Sequence, residues 1–388
     1  MNRKRVILII LGILVIVGVF VAFYCFSDRL DKAAYAQSDD TPLVEEVPEE
    51  VLIRMVGDNL IHNSVYFAAK TENGYNFDML FENVKEEIES ADVAIINQET
   101  ILVEDESRYS SYPTFGSPTE VGDAIAKAGF DVTAHATNHT NDKGTSGILD
   151  TLRFWKNHYP EMKVLGIHET PEESDIMYLE KNGIKMAFVN YTFGLNGLNL
   201  PKDKEYMVDV LGDDEELAKI LKEAKENSDI LIPILHIGTE YVYQPTKYHE
   251  KYVDFCIDNG ADIVLCAHPH VLEPYGMVTT TNGNTGLVYY SLGNFMSNQK
   301  AVPRILGGMA EIRLVREKNG EVKIKEYDMI PVVTHYSGKY YSTYKLSDYT
   351  DELAKKHTLQ KTESFSVQTL KDLYEEIMKR YRSDYSFL

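Results

Sequence analysis

The chain has 388 residues, 44% hydrophobic and 26% charged, which rules out global disorder and allows one large domain or two ordinary ones. With 39 basic and 60 acidic residues the net charge is -21, a field that repels nucleic acid and anionic lipid headgroups and argues against nucleic acid as a partner. Cys25, Cys256 and Cys266 are the three cysteines, too few for a disulfide framework, and the latter two are expected as buried free thiols.

Met1 to Arg5 carries three basic residues and precedes an uncharged apolar run from Val6 to Phe26. At helical rise that run is long enough to cross a hydrocarbon core of roughly 30 Å. The length predicts an uncleaved anchor rather than a removed signal, although a small-residue cleavage site is conceivable near Ala33 to Ala36. The basic flank predicts the N-terminus inside and the remainder outside, a single-pass cell-membrane protein with an extracellular domain. Residues 27 to 50, with the acidic run Glu45 to Glu50, read as a tether. The expected organisation is therefore a basic segment and transmembrane anchor over 1–26, an acidic linker over 27–50, a domain over 51–335, and a Tyr-rich, helical extension over 336–388.

Val51 to Val56 reads as a strand ending at Gly57-Asp58, followed by a helix from Asp78 to Ser90 on the spacing of Leu80, Val84 and Ile88. Asp92 to Asn97 is a second apolar strand and ends at Asn97-Gln98-Glu99. A helix opened by Ser117-Pro118-Thr119-Glu120 runs through Ala128 to Gly129, and Phe130 to Ala134 is a third strand that closes on His135 to Asp142. Further helices are predicted over Gly147 to Asn157, Asp213 to Asn227 and Lys247 to Asn259. Strands are predicted over Lys163 to Gly166, Ile184 to Tyr191, Asp229 to Leu235, Ala261 to Cys266 and Leu287 to Ser291. Ala310 to Arg316 and Val322 to Ile330 alternate and read as a hairpin turning at Asn319-Gly320. Continuous apolar strands separated by helices, with alternating strands late in the chain, imply a mixed α/β architecture. Ser366 to Arg382 is amphipathic. Tyr336, Tyr340, Tyr341, Tyr344 and Tyr349 are read as packing against the sheet, with polymer binding the lesser alternative.

Five strand ends present Asp58, Glu99, Asn138 with His139, His236, and His268 with His270. Two carboxylates, an amide oxygen and three or four imidazoles make a coordination set for one or two divalent ions such as Zn, Mn or Fe. A lone histidine at a strand end is more often structural than a ligand, so the recurrence carries the reading. In His268-Pro269-His270, alternate strand positions would put both imidazoles on one side. His62, four residues after Asp58, is a candidate for supporting the ligands from behind, whereas His135, His158, His168, His249, His335 and His357 read as ordinary.

Gly57-Asp58, Asn97-Gln98-Glu99, Thr137 to Asp142, His236 to Tyr241, Ala267 to Val271 and Ser291 to Phe295 form an ordered set over about residues 52 to 300. In that set the chain resembles the CapA, or poly-gamma-glutamate capsule biosynthesis, family, whose domain is similar to calcineurin-like metallophosphoesterases. The resemblance implies a sandwich of mixed β-sheets flanked by helices, with Asp58, Glu99, Asn138, His236, His268 and His270 as metal ligands and Glu99 as the bridge. It further implies His139 as general acid, Asp142 orienting its imidazole, and Glu240 holding His236 in its tautomer. The expected function is metal-dependent hydrolysis in assembly of an anionic surface polymer. The alternative is a non-catalytic accessory or scaffold subunit of a membrane synthase or exporter. The chain departs from the phosphoesterase pattern at Leu60, where a histidine is usual, at Glu99, where aspartate bridges, and at Thr137 and Ala267, where glycines are usual.

Overall fold

The computed structural model describes residues 3–35 and 49–382, in two compact units, Met1–Val47 and Pro48–Leu388. In the first unit one helix, α1, runs over Arg3–Tyr35. Leu14, Phe20, Phe23 and Phe26 are exposed on it. The helix does not stop at Phe26 but continues through Asp28, Arg29, Asp31 and Lys32, so the start of the expected tether is helical. The acidic stretch from Glu45 lies largely outside the described residues. Among the described residues no helix is long and apolar enough to cross a membrane, and the structure does not support the expected transmembrane span.

The second unit is built on two sheets. β1 (Glu50–Asn59), β2 (Val93–Asn97), β3 (Val132–Ala134) and β4 (Lys163–Leu165) pair in that order, all parallel. The second sheet contains β5 (Met177–Lys181), β6 (Ile184–Thr192), β7 (Ile230–His236), β8 (Ile263–Ala267), β9 (Tyr275–Thr279) and β10 (Thr285–Tyr289). Its order is β9-β10-β8-β7-β6-β5, parallel in the middle and closed by an antiparallel strand at each edge. β11 (Asn294–Met296), β12 (Leu306–Arg316), β13 (Val322–Ser337) and β14 (Tyr340–Lys345) return to the first sheet. On the side of β1 away from β2, β12 pairs antiparallel and is followed outward by β13 and β14, also antiparallel, while β11 pairs parallel with the end of β1 on that same side.

Burial on both faces explains why the central strands are continuously apolar. Phe188, Ile232, Ile234 and Leu265 pack with Ile53, Met55 and Ile95 in one core between the sheets. The intervening Val189, Leu231, Leu235 and Val264 turn outward, into a second core with Leu217 and Leu221, and Val253 and Cys256. Those partners lie on the helices Asp214–Glu226 and Lys247–Asp258, which begin where the Asp213 and Thr246 side chains accept the backbone N–H of Glu216 and His249. Full burial of one such leucine or valine contributes about 1.5–3 kcal/mol. Cys256 and Cys266 are buried free thiols.

The helix expected over Asp78 to Ser90 is instead two short turns, Asp78–Leu80 and Lys85–Glu89. Leu80, Phe81, Val84 and Ile88 are all buried, a spacing that one helical face would also give, but the N–H groups of Leu80, Phe81 and Val84 bond the carbonyl three residues back and only Ile88 bonds the one four back. β13 runs through the expected boundary at residue 335 and β14 pairs with it, so residues 336–345 belong to the sandwich. Tyr336, Tyr341 and Tyr349 are buried in the core there.

Candidate metal centre

The parallel strands of both sheets deliver their C-terminal ends to one place. β1 reaches it by changing partners: its antiparallel register with β12 ends at Val56, and Asp58 sits opposite Asn294 of β11. The approach is close enough that a Cβ on Gly57 would meet the Gly293 carbonyl oxygen at 2.0 Å, and Asp58 N donates to that oxygen at 2.9 Å. Glycine is thus required next to the carboxylate.

Asp58 is fully buried and surrounded by donors. Asn97 Nδ2 donates to its Oδ1 at 2.8 Å, the His268 backbone N–H donates to the same oxygen at 3.2 Å, and His270 Nδ1 lies 3.0 Å from Oδ2. His270 Nδ1 is also 3.1 Å from Asn294 Oδ1, and Asn294 donates to the His270 carbonyl oxygen. His236 is held between two amides, with Nε2 2.8 Å from Asn138 Oδ1 and Nδ1 3.3 Å from Asn97 Nδ2.

Glu99 stands at the middle of these groups. Its Oε1 is 3.7 Å from His270 Nε2, 3.8 Å from His236 Nε2 and 4.0 Å from His139 Nε2. Glu99, His268 and His270 each place a ligand-type atom within 4.8 Å of the others. Both Glu99 carboxylate oxygens and His268 Nδ1 are buried without a hydrogen-bond partner. Buried polar atoms are normally satisfied, so these orphans within a group of ligand-type side chains make it the candidate place for a cation.

Burial, with the Asp58 charge nearby, pushes the Glu99 carboxyl well above its ordinary range despite the favourable field of His270. Burial and the neighbouring imidazoles push His236 and His268 well below 6.5, so both are neutral, the form that ligates. For His270 burial works downward, but Glu99 and Asp58 together raise it to about 9.

His139 is held in place by Asp142 and Phe115. Its Nδ1 is 2.7 Å from Asp142 Oδ2, the same oxygen accepts the Phe115 backbone N–H at 2.6 Å, and the Phe115 ring meets the imidazole edge-on. Asp142 thus fixes the ring with Nε2 toward Glu99. Thr137, in place of the expected glycine, joins the two loops: its hydroxyl donates to the Glu99 carbonyl oxygen at 2.8 Å and accepts the His139 N–H.

Asp58, Glu99, Asn138, His139, His236, His268 and His270 are therefore brought together. Glu240 is not part of the inner group: it is exposed, and both His236 nitrogens face amides. His62 lies at the rim, where its Nδ1 accepts the Asn298 N–H at 3.2 Å and burial lowers it to about 4. Leu60 is buried apolar core. His268 and His270 do not continue β8 as alternating strand residues: their φ angles are 106° and 57°, and a left-handed turn aims both rings inward. Such conformations cost of order 1–3 kcal/mol each and concentrate at functional sites. Sequence reasoning missed Asn97, Asn294 and Arg304. The two asparagines were legible only as strand-end amides, and Arg304, which stacks 3.6 Å over the Tyr241 ring beside His270, carried no motif.

These features define a mixed α/β domain with a buried imidazole–carboxylate centre at its parallel strand ends. Residues 52–299 match the bacterial capsule synthesis protein PGA_cap family, and the chain belongs to that family. It is 27% identical to the capsule biosynthesis protein CapA of Bacillus anthracis over 66% of this chain and 62% of that protein, a match that spans under two thirds of the relative's length. It is 25% identical to the PGA biosynthesis protein CapA of Bacillus subtilis, over 80% of this chain and 78% of that one. Among solved structures, the Haemophilus influenzae NAD nucleotidase aligns with 85% of this chain and 60% of its own at a TM-score of 0.44 and 14% identity.

Proposed function

We propose that this protein is a metal-dependent hydrolase of capsule biosynthesis, acting on a poly-gamma-glutamate-like surface polymer or a phosphoester met in its assembly. The observation that carries the reading is the buried Glu99 carboxylate, both oxygens unpartnered and Oε1 facing the imidazoles of His236 and His270. The donor set suits one or two divalent ions of the Zn, Mn or Fe type, held by Asp58, Glu99, Asn138, His236, His268 and His270. When bound, such an ion supplies Lewis acidity at the electrophilic centre of a substrate.

The chain's own groups supply the rest. Asn97 and the His268 N–H hold the Asp58 carboxylate, and Asn294 holds the ring of His270. His139 gives a proton from Nε2 to the leaving atom, while Asp142 on Nδ1 keeps the ring aligned. Phe115 closes one side of that ring against water. Arg304 over Tyr241 offers a positive charge to an anionic substrate in an otherwise acidic protein.

The test is turnover of a panel of phosphoesters and gamma-glutamyl polymers with added Zn2+ or Mn2+. His139→Ala is expected to lower kcat by about 10²–10⁴-fold with fold and metal content unchanged. Equal rates for wild type and variant would remove His139 from catalysis, and no turnover on any substrate would favour the accessory-subunit reading. The proposal also places the domain outside the cell, associated with the membrane through Val6 to Phe26, on the support of the exposed Leu14, Phe20, Phe23 and Phe26 and the basic residues ahead of them. Cell fractionation should recover the protein with membranes and a variant lacking residues 3–26 in the supernatant; an unchanged distribution would contradict that placement.

A further inference from the structure

Outside the Glu99 centre, the loop after β4 and the segments leading into β5 and following β6 gather a second set of ligand-type side chains. His168 Nε2 lies 2.8 Å from Asp209 Oδ1 and 3.7 Å from Asp175 Oδ1, and one ligand-type atom from each of the three residues lies within 4.8 Å of the others. Asp209 is only 6% exposed, and its Oδ2 is buried with no hydrogen-bond partner. The Tyr191 hydroxyl donates to Asp175 Oδ2 at 2.8 Å, which leaves Oδ1 as the oxygen nearest His168. Glu173 Oε2 sits 4.0 Å from the other imidazole nitrogen, His168 Nδ1.

Asp209 is the buried carboxylate of the set, while Asp175 and Glu173 are partly exposed. Three carboxylates surround one imidazole, and among the described residues His168 is the only ion-pair partner of all three. A buried carboxylate oxygen with no donor is a group that proteins ordinarily pair or use to hold a metal.

We propose that His168, Asp175 and Asp209 form a second divalent-cation site, structural rather than catalytic and distinct from the Glu99 centre. One imidazole with carboxylate oxygens suits Zn2+ or Mn2+. Ligation through His168 Nε2 replaces its hydrogen bond to Asp209, while Glu173, whose Oε2 accepts the Glu169 N–H at 2.9 Å, stays outside the set. The structural role follows from what Asp209 touches. Its N–H donates to the Gly166 carbonyl oxygen after β4, and its own carbonyl oxygen accepts the Thr192 N–H at the end of β6. An ion here pins the edge of the first sheet to the second, next to the chain that carries Asn196 to Asn138.

The experiment uses the purified full-length protein, stripped with chelator, dialysed against Zn2+ or Mn2+ and assayed for bound metal per chain. Asp209→Asn and the partly exposed, less disruptive Asp175→Asn are each expected to hold one ion fewer than wild type. A Glu99→Gln/His268→Ala double variant is expected to retain that ion. The proposal is overturned if Asp175→Asn binds as much metal as wild type, or if the double variant binds none.

Discussion

Gly57 is set by contact rather than by conformation, since the space a Cβ would need is already filled by the Gly293 carbonyl oxygen. Gly57→Ala must push β1 away from the Ser291 to Asn294 loop and carry Asp58 with it. Overpacking of this kind typically costs about 1–3 kcal/mol. The expected result in chemical denaturation is a loss of that size, with weaker divalent-metal binding by the same variant; wild-type stability and affinity would show that the approach relaxes freely. At this scale the inner residues were legible because each is a polar group close after an apolar strand: Asp58 and His236 are the first such groups, and Glu99 follows two amides, Asn97 and Gln98. Amides were harder: Asn97 holds both Asp58 and His236, the task assigned in sequence to Glu240. His168 and His249 gave no signal either, because their partners Asp209 and Glu273 are distant in sequence.

The element that departs most from expectation is the C-terminal extension, which supplies β14 and then returns over the first sheet. Its anchor includes His357, whose Nδ1 accepts the Leu359 N–H at 3.0 Å while Nε2 donates to the Thr334 carbonyl oxygen at 3.2 Å, a pattern only the neutral ring can make. Burial lowers His357 to about 4, and burial with the nearby Lys356 lowers His335 to about 4. Both folded values lie below the unfolded value near 6.5, so the unfolded chain takes up protons first as the pH falls. The stabilisation is complete above pH 6.5 and is lost on acidification toward 4. Between pH 7 and 5 the loss is about 1–2 kcal/mol per histidine. His357→Gln is therefore expected to flatten the fall in stability measured by denaturation at pH 7, 6 and 5, and a profile parallel to wild type would contradict the assignment. Central strands were legible because both faces are buried and their runs are continuously apolar. The edge strands β5, β9 and β14 are only partly buried, β5 at no position fully, and left no continuous apolar run to read.

On the scale of the whole molecule, 248 of the 388 residues, 52–299, carry the family match, and every inner residue of the centre falls within them. The rest of the second unit completes the same sandwich: β12, β13 and β14 continue the first sheet from β1 to the edge opposite β2, β3 and β4. This arrangement leaves the centre where the apolar strands end, with Glu99 facing imidazoles and lacking any donor of its own. That a cation belongs there is the claim on which the functional reading stands. It is tested most directly by the metal content of purified full-length protein after dialysis against Zn2+ or Mn2+, comparing wild type with a Glu99→Gln/His268→Ala double variant shown by circular dichroism to be folded. The double variant is expected to bind fewer ions per chain than wild type. Equal metal content in the two proteins would contradict a metal centre at Glu99.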